Sequence, residues 1–436
     1  MYQSKINQKR FKTFAFLAFA AVFFLILTSC CDSQPNHCSV PQQFIVNSDP
    51  GKSGFDAKRL QRVDSLLEGY VRKGIAPNAV SFVARGGNII HHKAYGYSDV
   101  EKKVPVKTTD IFRWASQTKA VTTAVVMTLF EEGIFMLDEP IEKYIPIFAH
   151  PQVYVSGNVL TGENLVTRPA NRSVTVRQLL AHTSGYSYNF FGEDLNGFSY
   201  PHPTTTREVM ERIARTPLMH DPGEKFTYGF GIDIAGYLAE AVTGKTLAVL
   251  MKERIFAPLG MNDSYFYLPE EKHDRLVKVY RESDAGFVNN PDGHEQYYPL
   301  ATDRLYHGGG GGLVGTIEDY AKFCQMILNK GEFNNHRVLG RKTVEMMSVN
   351  HMIDVKEKYP YDFGLGFMIA TQQNDFVKTM TSTGALRWGG AFGTTYTIDP
   401  KENMIILFYT NILGWSQYTP APERFAISVY QSLKHE

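Results

Sequence analysis

Ser116-Gln117-Thr118-Lys119-Ala120-Val121-Thr122-Thr123-Ala124-Val125-Val126-Met127-Thr128-Leu129-Phe130, closed by Glu131-Glu132-Gly133, is the stretch on which the reading of this chain turns. Over 120–130 it is apolar on nearly every side, which marks a helix buried within a core, and Gly133 supplies its C-terminal stop. Ser116 stands at the helix start and Lys119 follows three residues later, so the two side chains are neighbours on one face. A desolvated lysine loses its charge readily enough to act as base toward the serine hydroxyl. The helix N-terminus adds unpaired backbone N–H groups where an oxyanion would form. This is the only Ser-x-x-Lys in the chain. By spacing alone it fits an N-cap serine with a solvated lysine equally well, so other features must decide.

Outward from this helix, apolar residues Leu60, Val63, Leu66, Leu67 and Val71 recur at helical spacing over 56–73 and stop at Gly74. A hairpin follows, with strands over 79–84 and 89–97 around Gly86-Gly87. The middle of the chain, 174–261, is mostly helical in pattern; Ala235, Leu238, Ala239 and Val242 share one face before Gly244. The last third has a helix over 318–328 and strands over 394–398 and 404–409, joined through Asp399-Pro400-Lys401. This order predicts an α+β sheet domain over 55–436, interrupted by a helical lobe at roughly 115–300.

Two further motifs bear on chemistry. Phe226-Thr227-Tyr228-Gly229-Phe230-Gly231 follows the turn Asp221-Pro222-Gly223-Glu224 and precedes a helix, a junction from which the Tyr228 phenol can face a cleft and relay a proton. Trp388-Gly389-Gly390-Ala391 heads a predicted edge strand, where paired glycines admit a ligand close to the backbone and the Ala391 N–H is a candidate oxyanion donor.

With these residues in place, the chain resembles the serine β-lactamase and penicillin-binding-protein-like hydrolases over roughly 54–433, especially the class C-like branch with its esterases and D-amino-acid peptidases. The matches run in family order: Ser116 with Lys119; Thr175-Val176-Arg177-Gln178-Leu179-Leu180-Ala181-His182-Thr183-Ser184-Gly185; Pro222-Gly223-Glu224-Lys225-Phe226-Thr227-Tyr228; Ile255-Phe256-Ala257-Pro258-Leu259-Gly260-Met261; Gly311-Gly312-Leu313-Val314-Gly315-Thr316; and Phe363-Gly364-Leu365-Gly366. The resemblance implies a β-lactamase/transpeptidase-like antiparallel sheet flanked by helices with an inserted, mostly helical lobe. It also implies acylation of Ser116, activation by Lys119 and Tyr228, and an oxyanion hole from the backbone N–H groups of Ser116 and Ala391. His182 is expected to shape the fold rather than act as a base.

Two departures bear on substrate. Phe230 stands where penicillin-recognising members commonly carry asparagine, and Trp388-Gly389-Gly390 stands where they carry a lysine- or histidine-led triplet. The second form looks like that of the family's esterases. A tryptophan cannot pair with a substrate carboxylate, and Arg387 should point to the opposite strand face. Trp388, Gly389, Gly390 and Phe230 are the expected substrate contacts, and an ester is the expected substrate. A peptidase or amidase acting on D-amino-acid or peptidoglycan-like substrates, a weak β-lactamase, and a non-catalytic lipid-anchored binding or sensing protein are the alternatives. The segment 186–200, with Tyr188, Phe190, Phe191 and Phe198, is read either as the lining of an acyl pocket or as a loop packed on the lobe.

The N-terminus reads as targeting rather than fold. Lys5, Lys9, Arg10 and Lys12 precede an apolar run over 14–27, short for a spanning helix, and Leu27-Thr28-Ser29-Cys30 resembles a bacterial lipobox. A signal peptide over 1–29, a lipidated Cys30 and a tether over 30–54 would place the domain outside the cytoplasm on a bacterial membrane; an uncleaved anchor would do the same. Cys31 and Cys38 are free to pair or not, whereas Cys324 lies on a buried helical stripe. With 45 basic and 44 acidic residues, a net charge of +1, 43% hydrophobic and 20% charged residues, the chain is globular and offers no field for nucleic acid. No metal-ligand spacing is present, no cofactor is expected, and the run 308–312 lacks the Lys-Ser/Thr of a phosphate loop, so it reads as flexible or close-packed backbone.

Overall fold

The computed structural model describes residues 40–46, 48–159, 161–189, 205–283, 286–289, 294–300, 306–414 and 420–434. Cys30, Cys31, Cys38, the lipobox and the aromatic residues Phe190, Phe191 and Phe198 lie outside the described residues. The strands of the central sheet are β1 (Asn78–Arg85), β2 (Asn88–Asp99), β3 (Val104–Pro105), β4 (Asp362–Phe363), β5 (Met368–Ile369), β6 (Leu386–Gly390), β7 (Thr394–Asp399) and β8 (Met404–Tyr409). They run in the order β4-β5-β6-β7-β8-β1-β2-β3, antiparallel at every pairing. The glycines between β1 and β2 take φ +56° and +78°, the left-handed pair that a two-residue hairpin turn requires.

β8 explains why this sheet reads as an unbroken apolar run. Its alternate residues Met404, Ile406 and Phe408 join Ala79 and Val83 in one buried cluster, while Ile405, Leu407 and Tyr409 join Val80, Phe82 and Ala84 in another. Both faces of the strand are therefore covered, and no polar alternation survives. Helices α1 (Ala57–Arg72), α2 (Thr118–Glu131), α3 (Gly231–Thr243), α4 (Ile317–Leu328) and α5 (Ala421–Tyr430) supply much of the cover. α1 and α5 close the first face through Leu60, Val63, Leu67, Phe425 and Val429. α4 closes the second with Phe323, Cys324 and Ile327, and α2 lies in the same cluster, buried almost throughout. The architecture is α+β, as the order of elements in the sequence implied.

Trp388-Gly389-Gly390 closes β6 rather than heading an edge strand, and the strand's first residues are not at an edge: Leu386 and Arg387 pair with β5 on one side and β7 on the other. β5 is only two residues long, so from Trp388 to Gly390 the strand pairs with β7 alone. The open half of β6 is the half that carries the Trp-Gly-Gly motif.

Leu407, fully buried at the centre of β8, tests how far the sheet depends on this two-sided packing. Leu407→Ala should destabilise the protein by about 2–5 kcal/mol, seen as a lower urea midpoint at unchanged denaturant slope.

Candidate active site

The lead into α2 is locked before the helix begins. Trp114 N–H donates to the Leu313 carbonyl at 3.0 Å, and Leu313 N–H donates to Thr118 Oγ1 at 3.1 Å. Between them a single 3-10 turn, Ala115–Gln117, carries the half-buried Ser116. Ala115 takes φ +45°, a left-handed conformation that a residue with a Cβ adopts at a cost of about 1–3 kcal/mol. It is held there by burial against Ile111, Val314 and Phe392. Sharp reversal followed at once by a helix puts the Ser116 hydroxyl at the helix mouth.

Lys119 is 2% exposed. Its Nζ donates to the Gly310 carbonyl at 2.6 Å and to Ser116 Oγ at 3.3 Å, and lies 4.7 Å and 5.2 Å from the Tyr228 and Tyr188 ring centres. The run 308–312 is close-packed backbone: a Cβ on Gly310 would stand 2.2 Å from Asp233 Oδ2. Asp233, in the first turn of α3, accepts from Gly310 N–H at 2.8 Å, Tyr306 OH at 3.1 Å and Tyr188 OH at 3.2 Å. Burial pushes its carboxyl above the usual range, against the opposing pull of the Lys119 charge. Asp233 thus fixes the Gly310 peptide whose carbonyl receives the lysine.

Tyr228 OH donates to Ser116 Oγ at 2.7 Å and accepts from Trp388 Nε1 at 3.3 Å. The ring is gripped by Trp388 at 5.3 Å, Tyr188 at 5.6 Å and His182 at 4.7 Å between centres. His182 is fully buried at φ +55°, and neither ring nitrogen has a hydrogen-bond partner. Its carbonyl accepts from Thr227 N–H at 2.7 Å, which ties the backbone beside Tyr228 to the His182 turn.

The open end of β6 meets the Ser116 turn directly. A Cβ at Gly390 would lie 2.2 Å from the Trp114 carbonyl oxygen, so only glycine allows this approach. Ala391 is the next residue, exposed, at the start of a turn closed by Gly393 at φ +80°. Arg387 points away, as the strand alternation required, and pairs with the buried Asp375 at 2.5 Å. Phe230 is placed differently from the other expected contacts: at 1% exposed it sits in the core, edge-on to Tyr188 with centres 4.5 Å apart. Among the described residues no three His, Cys, Asp or Glu side chains are grouped to hold a metal ion.

Residues 63–431 match the model of the Beta-lactamase family. The chain belongs to that family. An uncharacterized protein of Mycobacterium tuberculosis is 28% identical over 352 residues, 77% of this chain and 86% of its own length. Esterase EstB of Burkholderia gladioli is 27% identical over 390 residues, covering 83% of this chain and 93% of the esterase. Unliganded simvastatin synthase from Aspergillus terreus superposes with a TM-score of 0.74 at 23% identity, covering 87% of this chain and 100% of the synthase chain. The protein has the β-lactamase/transpeptidase fold and is a serine hydrolase of the Beta-lactamase family.

Within this family member, motif reading missed Asp233, Tyr306 and the Gly310 carbonyl. One signal was present for the first: a lone acid in the apolar run Gly231-Ile232-Asp233-Ile234-Ala235, which a buried helix tolerates only if the acid has partners.

His182 makes a pH prediction. In the unfolded chain its imidazole titrates near the ordinary 6.5, while burial, seconded by the Lys119 charge, holds it well below that in the fold. The unfolded state then binds a proton that the folded state refuses, so stability is full above about pH 6.5 and falls as pH drops below it, by about 1.4 kcal/mol per pH unit for one such group. His182→Asn, which tolerates the left-handed backbone, should flatten the stability slope between pH 6.5 and 5 by one proton. Urea titrations at several pH values measure this independently of the variant's absolute stability.

Proposed function

We propose that the protein is a carboxylesterase-type acyl hydrolase that forms an acyl-enzyme on Ser116. The observation that carries this reading is the 2.7 Å contact of Tyr228 OH with Ser116 Oγ, made beside a buried Lys119 that also reaches Oγ. In the reactive form the pair is one proton short, with Tyr228 as the phenolate beside the Lys119 ammonium; Ser116 Oγ attacks the ester carbonyl carbon and its proton goes to the Tyr228 oxygen. The Trp388 Nε1–H contact at 3.3 Å supports negative charge on the phenol oxygen as that proton moves. The new carbonyl oxyanion is received by the N–H groups of Ser116 and Ala391. Collapse breaks the bond to the alcohol oxygen, which takes its proton from Tyr228. Water then attacks the acyl-enzyme by the same route and frees the acid.

Ester rather than peptide is favoured by the absence of a cation on the open half of β6, where Trp388 is bonded to Tyr228, and by the engagement of Arg387, on the paired half, with Asp375. The esterase among the relatives points the same way. The basic N-terminus, the apolar run and the Cys30 box support an exported protein, lipidated at Cys30 and anchored to a bacterial membrane, acting in the cell envelope.

Full-length protein should hydrolyse p-nitrophenyl esters faster than nitrocefin or a D-alanyl peptide, and an activated phosphonate should label it at Ser116. Ser116→Ala should abolish turnover and labelling, and Tyr228→Phe should lower kcat by about 10²- to 10⁴-fold with little change in KM. Turnover of the peptide or β-lactam alone would overturn the ester reading, and folded protein that neither turns over nor labels would overturn the enzyme mechanism. Gly390→Ala should lower kcat by about 10²- to 10³-fold, because its methyl group must push β6 and the Ala391 N–H away from Trp114.

A further inference from the structure

Aromatic side chains lead away from the reacting atoms in a continuous strip. Trp388 lies 5.3 Å from Tyr228 between ring centres, Phe363 lies 5.6 Å from Trp388, and Phe226 lies 5.2 Å from Phe363. Tyr359 and Tyr361 follow at 5.5 and 5.7 Å from Phe226. Phe363 is the buried floor, with Met368 beside it, whereas Trp388, Phe226, Tyr359 and Tyr361 are half-exposed. The outer rim is pinned: Tyr359 OH donates to the Phe226 carbonyl at 3.2 Å and to Glu357 at 3.0 Å, and Glu357 pairs with Lys225 at 2.9 Å.

The strip has a direction relative to the chemistry. If Tyr228 hands its proton to the departing oxygen, that oxygen sits at the Tyr228 hydroxyl, and this hydroxyl is the atom that Trp388 Nε1 contacts. The group carried by the departing oxygen therefore leaves the site over Trp388. It meets ring faces there. Of the three cations adjacent to the strip in sequence, Lys225 and Arg387 are engaged by Glu357 and Asp375, and Lys358 is exposed beside Tyr359 at the outer rim. Planar apolar groups stack on such faces in offset or edge-on geometry, an interaction the rings do not offer to a free carboxylate.

Resting on the esterase reading, we propose that the strip from Trp388 to Tyr359 and Tyr361 is the alcohol subsite, and that the preferred substrate is the ester of a bulky, apolar, ring-bearing alcohol. The strip uses none of the residues of 186–200, for which an acyl-pocket lining and a loop packed on the lobe were the two readings, and it serves the leaving group.

The test compares ethyl acetate, 2-naphthylmethyl acetate and ethyl 2-naphthylacetate on the full-length protein, each kcat/KM divided by that ester's alkaline hydrolysis rate. The ring should raise the normalised value about tenfold on the alcohol side and by less on the acyl side. In Tyr359→Ala/Tyr361→Ala this gain should fall below threefold, with ethyl acetate turnover within twofold of wild type. A gain under threefold in the wild type, a gain that survives in the double variant, or a larger gain on the acyl side would overturn the subsite. Failure of the esterase reading looks different, as absence of turnover on all three esters with no phosphonate label. In that event 2-naphthylmethanol binding to the Ser116→Ala protein, followed by fluorescence, decides: binding weakened at least fivefold by the tyrosine changes supports the strip, and unchanged binding overturns it.

Discussion

The burial of the Lys119 ammonium is the constraint around which the rest of the site is arranged. A charge taken out of water is costly unless acceptors and polarisable faces replace the lost hydration. Here the replacement comes from the Ser116 hydroxyl one turn away and from three distant parts of the chain, the Gly310 carbonyl and the faces of Tyr188 and Tyr228. Each has its own support. Gly310 is held by Asp233, Tyr188 is bonded to the same carboxylate, and Tyr228 is gripped by His182 and Trp388. The glycine run is needed because the backbone itself must come within hydrogen-bond reach of both Lys119 and Asp233, and no Cβ fits in that gap.

The sheet enters this arrangement at one point. β6 is paired on both sides only at its start, and the short partner β5 leaves Trp388, Gly389 and Gly390 open where they pass the Ser116 turn. A full-length neighbour would have closed the cleft, and a side chain at Gly390 would have held the strand away from Trp114. The left-handed Ala115 completes the meeting from the other side, turning the chain sharply so that the helix mouth faces the strand end. Strain in one place and an unfinished ladder in another are thus two halves of the same opening, and both are held by ordinary core packing.

What was legible in the sequence follows the range of the interaction. α2 and β8 were plain because their burial leaves continuous apolar runs, and the Ser116–Lys119 pairing was plain because a helix turn fixes it locally. Tyr228 lies 112 residues from Ser116, so no local pattern joins them, and family resemblance alone brought them together. Asp233 left only the trace of a charge in an apolar helix. The extent of pairing along β6 depends on the length of β5, which two residues of sequence do not announce. Phe230 was named from its alignment with an asparagine, yet an apolar ring at the start of α3 gains more by packing beneath Tyr188 than by facing water, and the core is where it lies.

The replacement of a cation by Trp388 changes what the site does with charge. A lysine or protonated histidine at this position of β6 would add a second positive charge beside Tyr228 and would attract a carboxylate into the cleft. The indole has no charge to add, but its single N–H is aimed at the phenol oxygen. It therefore assists charge at the one atom that must exchange a proton, and leaves the rest of its surface apolar. The same side chain is also the first ring of the strip that runs through Phe363 and Phe226 to the tyrosines of the rim. Proton management and leaving-group recognition consequently share one residue, so a change at Trp388 acts on both, whereas a change at Tyr361, far along the strip, touches recognition alone.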